Sequence, residues 1–267
     1  MLFVRKYGNS GPQVVLLHGG PGAPGHMAAV ARGLADAYQI LEPFQRGSET
    51  EPLTVATHVE DLHEVLRSYA VDSSPVLLGS SWGAMLALAY AAAHPTSSGP
   101  LILVGCGTFD RVARSRMHDT IEQRRDDAIR QRLQQASRID DDDERLKATA
   151  YAEMSLYSYD ATSVPEGETF DARAHQETWD DMVDLQTKGV YPAAFAAIRV
   201  PVLMVHGTFD PHPGRLIHAS LQPHVAQLEY RELERCGHYP WLERAASAQF
   251  FSLVREWLQK RVPAADL

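Results

Sequence analysis

The sequence predicts an α/β architecture: a mostly parallel sheet with helices on both faces, interrupted by a helical insertion. Three observations predict it. Short apolar runs alternate with helical patterns up to about residue 107, the alternation stops there, and it resumes at residue 199. Gln13-Val-Val-Leu-Leu-His18 is a continuous β-branched and leucine run ending at a glycine cluster, as a strand buried on both faces requires. A helix is expected around His26 to Ala37, then a short strand at Gln39–Leu41. Between Thr57 and Tyr69 the residues Val59, Leu62, Leu66 and Tyr69 recur at spacings of three and four, one face of a helix. Pro75–Leu78 reads as a strand, Trp82–His94 as a helix and Leu101–Val104 as a strand. Such alternation implies right-handed crossovers between parallel strands.

From Thr108 to about Ile198 no buried strand is expected. Val112, Ile121, Ala128, Ile129 and Leu133 instead suggest helices with a narrow apolar stripe. A strand at Val200–His206, a helix after Pro213, a strand at Leu228–Leu233 and a helix near Ala245–Lys260 restore the first pattern. The sequence thus divides into a core at 1–107 and 199–267 and an insertion at 108–198.

Composition excludes several classes of function. The 267 residues carry a net charge of −9, with 45% hydrophobic and 22% charged side chains, which is ordinary soluble usage. The acidic balance argues against nucleic acid, whose phosphates require a basic face. The longest uncharged small or apolar run, Ala84–Ala93, is far short of the roughly 18 residues of a membrane span. The N-terminal residues lack the basic-then-apolar layout of a signal peptide, so a cytoplasmic protein without membrane or nucleic-acid partners is expected. Cys106 and Cys236 make no disulfide framework and have no zinc-ligand spacing. His58 and His63, five apart, do not share a helix face, so no metal is expected.

Gly79-Ser-Ser81-Trp-Gly83 lies between an apolar strand and an alanine-rich helix. A sharp strand-to-helix turn forces its central residue into a strained backbone, and small flanking residues avoid the resulting clashes. The turn lifts the Ser81 hydroxyl above the sheet, beside the positive end of the next helix. Ser80 is the neighbouring competitor, but it lies off the centre of the motif. A serine nucleophile needs a base, and the base needs an orienting acid. Asp210 follows the strand ending at His206, and His238 follows the strand ending at Leu233. Both therefore stand where open α/β sheets place ligands, in the chain order serine, acid, histidine. Position selects His238 over His212, His218 and His224; Asp110, also after a strand, is an alternative acid.

His18-Gly-Gly-Pro-Gly22 follows the first buried strand at the same sheet edge. An oxyanion needs two backbone N–H groups without side chains in the way, and Gly20 and Trp82 are assigned to supply them. Gly20-Pro-Gly22-Ala-Pro-Gly25, with Glu42 about twenty residues on, also satisfies a dinucleotide fingerprint. Pro21 and Pro24 argue against it, because they remove donors that a pyrophosphate would use. That reading also leaves Ser81, Asp210 and His238 unexplained.

These residues identify a resemblance. His18-Gly-Gly-Pro-Gly22 and Gly79-Ser-Ser-Trp-Gly-Ala-Met-Leu-Ala-Leu-Ala-Tyr90, continued through His94-Pro95, resemble the α/β-hydrolase superfamily and its proline iminopeptidase branch. Asp210 and His238 match the family's acid and base. Glu42-Pro-Phe-Gln-Arg-Gly47 looks like the branch's Asp-Gln-Arg-Gly stretch, with Phe44 where an aspartate is usual. The resemblance implies the α/β-hydrolase fold with a helical cap at 108–198, a serine hydrolase acting through an acyl-enzyme, and no cofactor. The branch implies an aminopeptidase whose cap acids hold the substrate's free amino terminus. A carboxylesterase of uncharged acyl substrates and a non-catalytic receptor-like fold are the alternatives.

Residues 108–198 hold 19 acids and 12 bases, and Asp140-Asp-Asp-Asp-Glu144 is their densest acidic run. A solvated loop capping the next helix accounts for that run most simply. The sharper expectation is that an acid among Glu153, Asp160 and Asp184 faces the site and selects cationic small-molecule or short-peptide substrates. Trp82, Tyr157 and Trp179 are candidates to line an acyl pocket, though aromatics commonly serve as core. Cys236, close to His238, reads as a buried structural thiol.

Overall fold

The computed structural model describes residues 2–70, 74–164 and 169–261; the outer ends of the expected core, residues 1 and 262–267, lie outside these. Seven strands form one sheet: β1 (Val4–Tyr7), β2 (Gln13–Leu17), β3 (Gln39–Pro43), β4 (Val76–Ser80), β5 (Leu101–Val104), β6 (Val202–Gly207) and β7 (Leu228–Leu233). Their order is β1-β3-β2-β4-β5-β6-β7, parallel throughout except for the β1–β3 pair.

The continuous apolar runs follow from burial on both faces. Val15, Leu17, Leu77, Leu101 and Met204 face one core with α2 (Val55–Tyr69), α3 (Trp82–Ala93) and α8 (Gly214–Leu221). Val14, Leu16, Val76, Leu78, Ile102 and Leu203 face the other, with α1 (Ala28–Leu34) and α9 (Ser247–Arg261). Alternate side chains of each strand thus serve opposite layers.

Strand β1 has no counterpart among the sequence expectations. It is an antiparallel edge strand with Arg5 and Lys6 at its centre, so it shows no apolar run. Arg5 faces Glu42 of β3 in register and holds its buried carboxylate at 3.1 Å through both Nε and Nη2. Burial pushes the Glu42 carboxyl upward, and the Arg5 charge opposes that. Helix α1 is shorter than expected, because Ala37 and Tyr38 both bond back to the Leu34 carbonyl and close it in a turn.

Between β5 and β6 the described residues form four α-helices, α4 (Arg111–Arg124), α5 (Asp127–Ala136), α6 (Asp142–Glu153) and α7 (Ala172–Thr187). Each begins at an aspartate whose side chain accepts a backbone N–H three residues on: Asp110, Asp126, Asp141 and Asp171. Asp142, Asp143 and Glu144 occupy the first turn of α6, as the capping interpretation of the acidic run expects. Ile121, Ile129 and Leu133 pack together, whereas Val112 is 70% exposed because Ala113 takes the inward position after the Asp110 cap. Three acids, the α7 cap and two residues of α7 itself, bind the segment that leads into α2. Asp171 accepts the Ser48 N–H (2.6 Å), Glu177 the Leu53 N–H (2.8 Å) and Asp181 the Val55 N–H (2.7 Å). Among the described residues no helix is long and apolar enough to cross a membrane.

Candidate active site

The turn between β4 and α3 has the strain its sequence implies. Ser81 adopts φ 55° and ψ −118°, a left-handed conformation that a non-glycine residue occupies only at a cost. Its two glycines are sterically required. A Cβ on Gly79 would run into the Gly83 carbonyl, and one on Gly83 into the Leu17 carbonyl. Ser80 is fully buried as the last residue of β4, while Ser81 is only half-buried, which separates the two candidate serines.

Asp210 and His238, 28 residues apart, meet directly: His238 Nδ1 lies 2.8 Å from Asp210 Oδ2. Parallel pairing of β6 with β7 brings the two strand ends side by side. The other carboxylate oxygen accepts the His212 backbone N–H at 2.9 Å, with His212 Nδ1 at 3.2 Å. Burial opposes ionisation of Asp210, yet His238 and His212 outweigh it and hold the carboxyl well below the usual carboxylate range. Burial likewise pushes His212 downward, against the pull of Asp210. Asp110, the alternative acid, is occupied as the cap of α4.

Ser81 and His238 flank one corner of the sheet. The Ser81 N–H bonds the Val104 carbonyl at 2.8 Å. On the next residue, Gly105, a Cβ would approach the His238 ring to 2.8 Å, so glycine leaves room for the imidazole. The hydroxyl of Ser81 makes no hydrogen bond among the described residues. Contacts of this kind commonly tighten only when substrate arrives.

The glycine loop expected to carry one oxyanion donor reaches the elbow that carries the other. Gly19 is wedged against the elbow, where a Cβ would lie 3.0 Å from Ser81 Cβ. Gly20 follows at φ 113°, a conformation suited to glycine. Trp82 opens α3, where first-turn N–H groups have no partner within the helix. Its indole is buried and donates from Nε1 to Gln45 Oε1 at 2.7 Å, and Gln45 Nε2 donates to the His18 carbonyl at 2.9 Å. Gln45 therefore ties α3 to the glycine loop. Glu42, the acid of the dinucleotide fingerprint, is locked onto Arg5 inside the sheet and faces no ligand site.

The three insertion acids expected to select cations each have a partner. Glu153 pairs with Arg125, Asp160 with Arg244 at 3.2 Å, and Asp184 with Lys188 at 2.5 Å. Arg124 reaches the chemistry more closely: it bonds the carbonyls of Leu156 (2.7 Å) and Phe209 (2.8 Å), beside Asp210. Tyr157 lies 5.6 Å from the His238 ring, and its carbonyl accepts the His238 N–H at 2.7 Å. Trp82 and Trp179 meet edge to face at 6.1 Å, Trp82 fully buried and Trp179 partly so.

Three residues of the site carry no sequence motif. His212 shares the carboxylate of Asp210. Glu243 is buried and accepts the N–H groups of Tyr159 (2.8 Å), Asp160 (2.7 Å) and Gly237 (2.9 Å), joining the insertion to the loop before His238. His26 contacts the glycine loop and accepts the Gly19 N–H. A lone acid within the apolar stretch Pro240-Trp-Leu-Glu243 is a signal that could have pointed to Glu243. His58 bonds Thr178 and His63 bonds Tyr90, so the two do not act as a ligand pair. Asp210, His212 and His238 have ligand atoms within 4.8 Å of one another, but both imidazole Nδ1 atoms already bond the carboxylate. Cys236 is buried, and burial pushes its thiol upward.

Known proteins resemble this chain in sequence and in fold. Proline iminopeptidase of Lactobacillus helveticus is 28% identical over 278 residues, spanning 93% of this chain and 90% of that protein. The crystal structure of proline iminopeptidase from Mycobacterium smegmatis superposes with a TM-score of 0.65 at 19% identity, covering 97% of this chain and 94% of that one. A thermophilic esterase from Thermogutta terrifontis gives 0.64 at 20% identity, covering 97% and 93%. The model of the family described as "Alpha/beta hydrolase family" matches residues 14–250, nearly the whole sequence. The chain belongs to the alpha/beta hydrolase family and is a hydrolase.

Proposed function

We propose that this hydrolase cleaves a small acyl ester or amide through an acyl-enzyme on Ser81, with removal of an N-terminal residue, as in proline iminopeptidases, its favoured activity. The observation that carries the proposal is the strained Ser81 elbow at the same sheet corner as the Asp210–His238 pair. Ser81 Oγ attacks the carbonyl carbon as His238 Nε2 takes its proton, and the C=O π pair becomes an oxyanion. Collapse of that intermediate expels the leaving group, which receives the proton from His238. Water then repeats the sequence on the acyl-enzyme. Asp210 fixes the tautomer of His238 and stabilises its charged form. The N–H groups of Gly20 and Trp82 hold the oxyanion, each worth about 3 kcal/mol in comparable sites. Each step uses protein groups and water, so no cofactor is required.

In the same proposal, residues 108–198 form a cap over the core at 1–107 and 199–267. The substrate is a small molecule or short peptide, and the chain works in the cytoplasm, where free thiols such as Cys106 and Cys236 persist. Similarity to the Lactobacillus helveticus enzyme along almost the whole chain supports the aminopeptidase subtype. One observation favours a carboxylesterase instead: Glu153, Asp160 and Asp184 are paired with cations, and Arg124 is the insertion's charge bonded beside Asp210. Comparing kcat/KM for prolyl arylamide, its N-acetylated form and aryl acetate decides between them. The aminopeptidase prefers the free amine at least tenfold, about 1.4 kcal/mol. Equal turnover of uncharged substrates establishes the esterase.

A further inference from the structure

We propose that His26 is a positioning residue that holds the Gly19 N–H, and so fixes Gly19 in the orientation that points the following Gly20 N–H at the developing oxyanion. This rests on the role proposed above for Ser81 and Gly20. The Gly19 residue is gripped at both of its polar groups. Its N–H donates to His26 Nε2 at 3.3 Å, and its carbonyl lies 2.8 Å from His18 Nδ1. His18 Nε2 accepts the Gln45 N–H at 3.0 Å, so the His18 proton resides on Nδ1 and is donated to the Gly19 carbonyl. That carbonyl belongs to the peptide unit whose N–H is Gly20's. A donor on the oxygen polarises the unit and strengthens its N–H.

His26 supplies the other grip, on a residue whose backbone would otherwise move freely. Its ring lies parallel to Trp241 at 6.3 Å, with Tyr239 edge-on at 6.1 Å. Both belong to the loop that follows His238. The same ring reaches to 3.2 Å of the position a Gly19 Cβ would take, a point 3.0 Å from Ser81 Cβ. His26 thus joins the glycine loop, the elbow and the base-bearing loop. Burial lowers its pKa to about 4, against a hydrogen bond that the ring donates to the Ala23 backbone, so Nε2 keeps its lone pair at neutral pH.

The test separates the Nε2 acceptor from the ring's packing. His26→Phe retains the stack but removes the acceptor, whereas His26→Gln returns a carbonyl near the position of Nε2. Ester hydrolysis, fluorophosphonate labelling of Ser81 and thermal unfolding are measured for wild type and both variants. His26→Phe is expected to lose about ten- to a hundredfold in kcat with KM within about threefold, and His26→Gln to recover most of it. Wild-type kcat in His26→Phe overturns the proposal, as does a loss in His26→Gln equal to that in His26→Phe. If His26→Phe does not fold, His26→Asn replaces it: its shorter side chain cannot reach Gly19, and kcat equal to that of His26→Gln overturns the idea. A wild type that fails to label overturns the function and this inference together. A wild type that labels, beside a kinetically silent His26→Phe, overturns only the inference.

Discussion

The imidazoles of His212 and His238 stack with centroids 4.6 Å apart, and the Nδ1 atoms of both lie within hydrogen-bond distance of the Asp210 carboxylate. Two histidines thus satisfy one half of the proposed base's requirement, an orienting acid. The His238 ring also occupies the space left by Gly105, beside the corner where Val104 holds Ser81, which is why His238 and not His212 is the proposed base.

That distinction separates two substitutions. His238→Ala is expected to lower kcat by about 10⁴ or more, since it removes the proton acceptor. His212→Ala should cost less than about tenfold, because the residue 212 backbone N–H still bonds Asp210. Steady-state kinetics on one ester substrate checks both; the reverse order would make His212 the base.

The elbow glycines make a prediction about folding as much as activity. Gly83→Ala drives a methyl group into the Leu17 carbonyl, a backbone atom within the central sheet that cannot yield. A loss of more than about 3 kcal/mol is expected in urea unfolding, with Ser81 labelling reduced in whatever remains folded.

Glu243 is expected to be intolerant of its nearest isostere. Glu243→Gln places an amide NH₂ against an N–H that one carboxylate oxygen now accepts, from Asp160 on one side or from Tyr159 and Gly237 on the other. Loss of the bond and the new donor–donor contact together cost about 2–3 kcal/mol. The fall in Tm should come with lower kcat, because Gly237 precedes the proposed base.

Acid should unfold the protein earlier than its carboxylates alone imply. Burial lowers the pKa values of His26, His58 and His206 to about 4, and that of His18 to about 3. Between about pH 6.5 and pH 4 the unfolded chain binds protons that the folded chain excludes. Stability therefore falls as pH falls through that window, by about 1.4 kcal/mol per pH unit for each ring. Glu42, shifted upward by burial, acts in the opposite sense but is one group against four. Urea midpoints at pH 7, 5.5 and 4.5 measure the slope; replacing buried His206 with Phe should flatten it.

The centre of the sheet was legible because β2, β4, β5 and β6 are parallel and buried on both faces, and such strands appear as unbroken apolar runs. Strand β1 was not, because an edge strand exposes one side and is stabilised by the Arg5–Glu42 pair, which no local pattern announces. The motifs around Ser81 and Gly20 were legible because strained turns restrict their own neighbours to small residues. His26, His212 and Glu243 belong to no motif, because their bonds to Gly19, Asp210 and Gly237 are set by how each loop folds rather than by a fixed spacing. The acids expected to select cations are paired, Glu153 and Asp160 with arginines distant in sequence and Asp184 with Lys188 one helical turn on.

The most direct measurement is mass-spectrometric mapping of the residue modified by a fluorophosphonate, in the wild type and in Ser81→Ala. A single adduct on Ser81, absent from the folded variant, is the expected result. An unlabelled wild type, or an adduct that persists after Ser81→Ala, would contradict the account.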